Sequence, residues 1–184
     1  MIHKIGLILG STRPTRISPD IAAWLQQNLA QPDLDVDLID LAAINLPLLD
    51  ETEQPSTGIY HEDHTRQWSQ LIQGYDGFIL LFPQYNWGYP APLKNALDYL
   101  YKEWAHKPVS LVSYGGHGGF QAAQGMNLVV RGLKMQLLTN NLQITLHRAD
   151  LDEQGHFLDV NQALAPYTFN AHQIGAEFSH ALVE

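Results

Sequence analysis

The chain has 184 residues, 45% of them hydrophobic and 16% charged, which fits one globular domain over residues 1–184 with a core that needs no covalent staple. Ten Lys and Arg against nineteen Asp and Glu leave a net charge of −9, which excludes a general nucleic-acid or anionic-membrane binder. No cysteine is present, so disulfides, thiolate metal sites and cysteine nucleophiles are excluded, and a reducing cytoplasm is the expected setting.

Lys4 to Gly10 predicts a buried first strand, an apolar run too short to span a membrane. Gly10 to Ser18 is a polar, turn-rich loop. Ser18 as N-cap and Pro19 in the first turn then open a helix, with Ile21, Trp24, Leu25 and Leu29 at helical spacing. Leu34, Val36, Leu38 and Leu41 predict a second strand. Pro47 to Gly58, with two prolines and three acids, reads as a loop excursion. Thr65 to Gln73 reads as a helix and Gly77 to Phe82 as a central strand. Pro83 to Pro92 is a loop. Leu93 to Trp104 is the clearest amphipathic helix, with enough apolar surface at Leu97, Leu100, Tyr101 and Trp104 to suggest a subunit interface. Val109 to Ser113 is a strand, Tyr114 to Gly119 a glycine loop, Gln121 to Leu138 a long helix and Leu142 to Leu146 the last strand. Gln162 to Leu182 contains a final helix.

Strands and helices alternate five times, and the middle strands lack polar alternation. That pattern predicts an α/β fold: a flavodoxin-like, doubly wound, five-stranded parallel sheet of order 2-1-3-4-5 with helices on both faces. Ligands of such sheets bind beyond the carboxyl ends of the strands, where the strand order reverses. The loops after strands one, three and four are therefore the candidates.

Gly10 to Ser18 offers the hydroxyls of Ser11, Thr12, Thr15 and Ser18, the guanidiniums of Arg13 and Arg16, and the N-terminus of the next helix, all of which favour phosphate. It contains neither a Walker lysine nor the G-x-G-x-x-G of a dinucleotide clamp. Pro83-Gln84-Tyr85-Asn86-Trp87-Gly88-Tyr89-Pro90 holds three aromatics and two amides in eight residues, suited to a flat, partly polar ring. Tyr114-Gly115-Gly116-His117-Gly118-Gly119 has four glycines in six, which lets main chain approach a ligand. His61-Glu62-Asp63-His64 lacks a third ligand, so no metal site is expected. Asp33, Asp35, Asp37 and Asp40 read as solvated acids around a strand.

Gly10-Ser-Thr-Arg13, then Pro83-Gln-Tyr-Asn86 running into Pro92-Leu-Lys-Asn95-Ala-Leu-Asp98, then Tyr114-Gly-Gly-His-Gly-Gly119 resemble the NADPH-dependent FMN reductase family. Within it the resemblance is to flavodoxin-like NAD(P)H:quinone reductases of the azoreductase type, from Ile5 to about Leu138. It implies noncovalent FMN, with the phosphate on Ser11 and Arg13 helped by Arg16 and Ser18. The ring and ribityl chain would lie along Pro83, Gln84, Tyr85, Asn86 and Trp87, and the pyrimidine edge at Tyr114, Gly115 and Gly116. It also implies NADPH or NADH as hydride donor, a quinone, azo compound or flavin as acceptor, ping-pong kinetics, and a homodimer or homotetramer. Chemistry carried by the flavin needs no catalytic side chain. After Asn86 the family has a small hydroxyl residue with Pro-Gly, whereas this chain has Trp87-Gly88-Tyr89-Pro90. Three other readings stay open: a flavodoxin-like electron carrier, against which the two arginines speak, a redox-sensing FMN-binding regulatory protein, and a non-flavin α/β enzyme acting on another phosphate compound.

Overall fold

The computed structural model describes residues 1–183. The chain begins with β1 (His3–Leu9), α1 (Ser18–Asn28), β2 (Leu34–Asp40), α2 (Leu41–Ile44), α3 (Asp63–Gln73) and β3 (Gly77–Pro83). It continues through α4 (Ala91–Asp98), β4 (Pro108–Gly115), α5 (Phe120–Gly132), β5 (Gln136–Leu137) and β6 (Leu142–Thr145), and ends with α6 (Val160–Leu164) and α7 (Thr168–Ala181). The strands form one parallel sheet of order β2-β1-β3-β4-β5, with β6 also paired to β4. The expected five positions are therefore present, and the fifth is split in two.

Successive strand residues point to opposite faces, and the sheet separates two cores accordingly. Ile5, Leu7, Leu9, Ile79, Leu81 and Val112 pack with Ile21 and Leu25 of α1 and Ile174 and Phe178 of α7. Ile8, Phe78, Leu80 and Phe82 pack with Trp68 of α3, Leu97 of α4, Trp104 and Met126 of α5. At Gly175 a Cβ would lie 2.3 Å from the Leu29 carbonyl oxygen, so glycine lets α7 lie against the end of α1.

The split fifth strand has a specific cause. The Glu177 carboxylate, reaching over from α7, accepts the N–H groups of Thr139 and Asn140, each at 2.7 Å. The Asn141 side chain, at 2.7 Å, takes the place of a backbone partner for the Leu111 N–H. This draws residues 139–141 out of the ladder, while the Leu138 N–H still donates to the Val109 carbonyl of β4 at 2.9 Å.

Two helix expectations are corrected. The helix expected to run to Trp104 ends at Asp98. Tight turns follow it and fold Trp104 inward, and the indole N–H donates to the Leu97 carbonyl at 3.1 Å. Leu97, Leu100 and Trp104 are fully buried in the chain's own core and cannot serve a subunit interface. The helix expected to reach Leu138 ends at Gly132 and turns through Lys134, at φ 58°, into β5. The final helix expected within Gln162 to Leu182 is present as α7, and Pro166 separates it from the short α6, because proline removes an N–H and crowds the preceding turn.

Candidate functional site

β1 delivers the first loop to the carboxyl edge of the sheet, where the Gly10 N–H donates to the Leu81 carbonyl of β3 at 2.8 Å. The cap of α1 is Ile17 rather than the expected Ser18, and it supplies no side-chain hydrogen bond. The first-turn N–H groups are thus left for another acceptor. Ser18 is fully buried; its hydroxyl makes no hydrogen bond within 3.5 Å, and the Tyr114 phenol is its near polar neighbour. Ser11 is fully buried too, its hydroxyl 2.9 Å from the Tyr85 phenol.

The two arginines of this loop are in different situations. Arg16 makes a bidentate pair with Asp40 at the end of β2, at 2.8 and 2.5 Å, and also donates to the Ser11 carbonyl at 2.8 Å. Asp40 is therefore paired rather than free in solvent, and Arg16 holds the loop in shape. Arg13 has only the neutral Thr15 hydroxyl, at 3.1 Å, and its charge is unmatched.

β3 delivers the second loop. Gln84 is clamped from both sides: its N–H donates to the Tyr114 carbonyl at 3.0 Å, and its side-chain oxygen accepts the Ala122 N–H at 3.1 Å. Tyr85 and Gly88 exchange two backbone hydrogen bonds of 2.8 Å, closing a tight turn on Asn86 and Trp87. Both turn residues take positive φ, 47° and 68°. That conformation is strained for a ring as large as Trp, and such strain persists where the surroundings enforce it. Trp87 stands 73% exposed.

The third loop leaves β4 and enters α5 through Gly118 and Gly119, at φ 70° and 74°. A Cβ at Gly119 would lie 2.9 Å from that of Ser113. The Ser113 hydroxyl donates to the Gly118 carbonyl at 2.7 Å. The N–H groups of Asn86, Trp87 and Gly116 have no backbone partner among the described residues. Burial raises the Tyr114 phenol above its ordinary pKa, so it stays neutral.

These loops enclose a cleft of about 290 Å³. Of the expected site residues, Arg13, Arg16, Pro83, Gln84, Tyr85, Tyr114 and Gly115 line it. Ser11 and Ser18 are buried at the base of the first loop, and Asn86, Trp87 and Gly116 are exposed in the second and third. Ile17, Leu146, Leu151, Gln154 and Gly155 also line the cleft and were not anticipated. Ile17 was read only as part of the first loop, and Leu146 only as the end of the last strand. A larger cavity, about 470 Å³, lies elsewhere around Tyr60, Ser69 and Glu103 and includes none of the three loops. His64 does not face His61 as a metal pair: its Nε2 lies 2.9 Å from Asp50.

The family profile described as NADPH-dependent FMN reductase matches residues 3–148. The chain belongs to this family. An NAD(P)H-dependent FMN reductase of Schizosaccharomyces pombe is 44% identical over 148 residues, 79% of this chain and 74% of the relative. An NADPH:quinone oxidoreductase of Arabidopsis thaliana is 31% identical over 121 residues, 63% and 60% of the two chains. The solved structure of FerB, an NAD(P)H:(acceptor) oxidoreductase from Paracoccus denitrificans, superimposes with a TM-score of 0.76 at 17% identity over 98% of this chain and 99% of its own, which supports the fold alone. Membership of this family supports an NAD(P)H-dependent FMN oxidoreductase over an electron carrier.

Proposed function

We propose that the cleft at the ends of β1, β3 and β4 holds FMN, with the phosphate on the first loop and the ring between the second and third. One observation carries this reading: the uncapped start of α1 and the unmatched Arg13 charge belong to one loop, with the buried Ser18 hydroxyl at its base, where a dianion needs donors. Ser11, Arg13, Ser18 and the first-turn amides would grip the phosphate, while Arg16, engaged by Asp40, fixes the loop. Pro83, Gln84, Tyr85 and Tyr114 would flank the ring. The free N–H groups of Asn86, Trp87 and Gly116 would stand at the ring's polar edge, where reduction adds negative charge.

When bound, FMN supplies the hydride-accepting ring; the protein supplies grip, orientation and electrostatics. NADPH or NADH would serve as donor and a quinone, azo compound or flavin as acceptor, all of them flat groups that can enter the same opening in turn. A chain without cysteine suits a reducing compartment, and the cytoplasm is part of the proposal. No helix of the described residues is long and apolar enough to cross a membrane.

A homodimer or homotetramer is part of the proposal, on a surface other than the one first expected. Tyr89 of the second loop lies 3.3 Å from a Cβ placed on Gly125 of α5, so the two segments adjoin. Trp87, Phe120 and Leu128 stand exposed there at 73%, 48% and 75%. Sedimentation tests this, with Leu128→Glu shifting the assembly towards monomer; a wild-type monomer would end it. For the site, flavin fluorescence titration of the apoprotein should show FMN bound more tightly than riboflavin. Steady-state kinetics with NADPH and a quinone should give parallel double-reciprocal lines. Intersecting lines would show that donor and acceptor bind together rather than in turn.

A further inference from the structure

The cleft has a wall that the three loops do not supply. Leu151, Gln154 and Gly155 line it together with Arg13 and Thr15. All three lie beyond residue 148, where the family match ends. They belong to a small hairpin in which Leu151 bridges Phe157 in antiparallel fashion.

This hairpin is built without help from a ligand. The Asp152 N–H donates to the His156 carbonyl at 2.8 Å, and the Leu158 N–H closes the neck on the Asp150 carbonyl at 2.9 Å. One Asp152 carboxylate oxygen accepts the N–H groups of Gln154 and His156, both at 2.9 Å. Arg148 braces the outside by donating to the Leu151 and Asp152 carbonyls at 3.3 and 2.5 Å. Phe157 anchors the hairpin to the core under α1 and α7. The Asp152 carboxylate is thus engaged within the turn itself, and the N–H of His156 holds it below its ordinary pKa. Glu153 is exposed and does not line the cleft.

At the tip, Gly155 takes φ 86°, which an L side chain rarely adopts. The Gln154 amide makes no side-chain hydrogen bond within the hairpin. The cleft therefore presents two donor groups with capacity to spare: the Arg13 guanidinium, engaged only by the Thr15 hydroxyl, and the Gln154 amide on the hairpin.

We propose that the hairpin Leu151–Phe157 is a cofactor clamp in which the Gln154 amide hydrogen-bonds the phosphorylated tail of FMN. The inference rests on the FMN reading above and adds to it a contact outside the loops that define the family. A clamp of this kind acts on retention. It opposes departure of the cofactor and leaves the ring face free for donor and acceptor.

The test is titration of apoprotein with FMN and, separately, with riboflavin, followed by flavin fluorescence in wild type, Gln154→Ala and Gln154→Glu. Gln154→Ala should raise the FMN Kd roughly tenfold, the loss of one hydrogen bond to a charged group. Gln154→Glu should raise it further, by placing a carboxylate against the phosphate. Riboflavin affinity should change less than about twofold in either variant. The melting temperature of the apoprotein should hold, because Gln154 is exposed. Equal losses for both flavins would overturn the clamp, as would unchanged FMN binding accompanied by a raised KM for NADPH. Failure of the wild type to bind FMN would instead overturn the cofactor reading itself, so the two failures are distinguishable.

Discussion

The two arginines of the first loop should separate binding from stability. Arg13 has a single neutral partner, so Arg13→Ala removes little from the free protein. In the complex it removes a charge-assisted grip on phosphate worth about 1.5–3 kcal/mol, or roughly 10–150-fold in Kd. Arg16 is the reverse case. Its pair with Asp40 is partly buried, the side chains 16% and 31% exposed, and is bidentate. Exposed pairs contribute about 0.2–1 kcal/mol, and breaking fully buried ones costs about 3–5, so Arg16→Ala should cost about 2 kcal/mol in the apoprotein. That corresponds to a fall in Tm of about 4–8 °C for a chain of this size. Asp40→Ala should cost as much and up to about 1 kcal/mol more, because Asp40 also caps α2 by accepting the Ala42 N–H at 3.0 Å. The Arg16→Ala, Asp40→Ala double mutant should show a coupling of about 1–2 kcal/mol in denaturant unfolding. The reasoning fails if Arg13→Ala binds FMN like wild type, or if Arg16→Ala leaves the apoprotein Tm unchanged.

Glu177 gives a pH prediction. Burial opposes its ionisation, but the N–H groups of Asn140 and Thr139 outweigh that and hold its pKa below 4.5. A depressed carboxylate stabilises the fold above its ordinary pKa, and that contribution is lost as pH falls through the depressed value. Glu177→Ala should therefore be about 1.5–3 kcal/mol less stable at pH 7, and the gap to wild type should shrink in acid unfolding below about pH 4. An equal gap at every pH would remove the charge from the explanation. Gly119→Ala forces a side chain into the left-handed region and against Ser113, so it should destabilise by about 1–3 kcal/mol in thermal unfolding. Trp87→Gly should do the opposite, raising stability by about 1 kcal/mol, because it relieves a left-handed turn while losing little buried area. An unchanged or lower Tm would mean that the turn is not strained.

Local pattern carried the sheet. The short, continuous apolar runs at Ile5–Leu9 and Gly77–Phe82, ended by glycine and proline, fit buried parallel strands, and the positions of the glycine and aromatic loops followed from them. What escaped depends on contacts distant in sequence. No breaker residue lies between Asp98 and Trp104, so α4 ends where bulky rings turn into the core, which periodicity does not record. The split of the fifth strand needs Glu177, 37 residues from Asn140. The role of Arg16 needs Asp40, 24 residues away at the end of β2; the composition of the loop alone made both arginines look like phosphate ligands. The hairpin wall was invisible for a similar reason: Leu151 to Gly155 has no motif and reaches the cleft only because β6 ends beside Gly115, whose carbonyl accepts the Leu146 N–H at 3.0 Å.

The most direct test is a crystal structure of the protein with FMN. The account predicts the phosphate within hydrogen-bonding reach of Ser11, Arg13, Ser18 and the first-turn amides of α1, and the ring between Tyr85 and Gly115. A phosphate bound away from that helix terminus, for instance in the cavity beside Glu103, would contradict it.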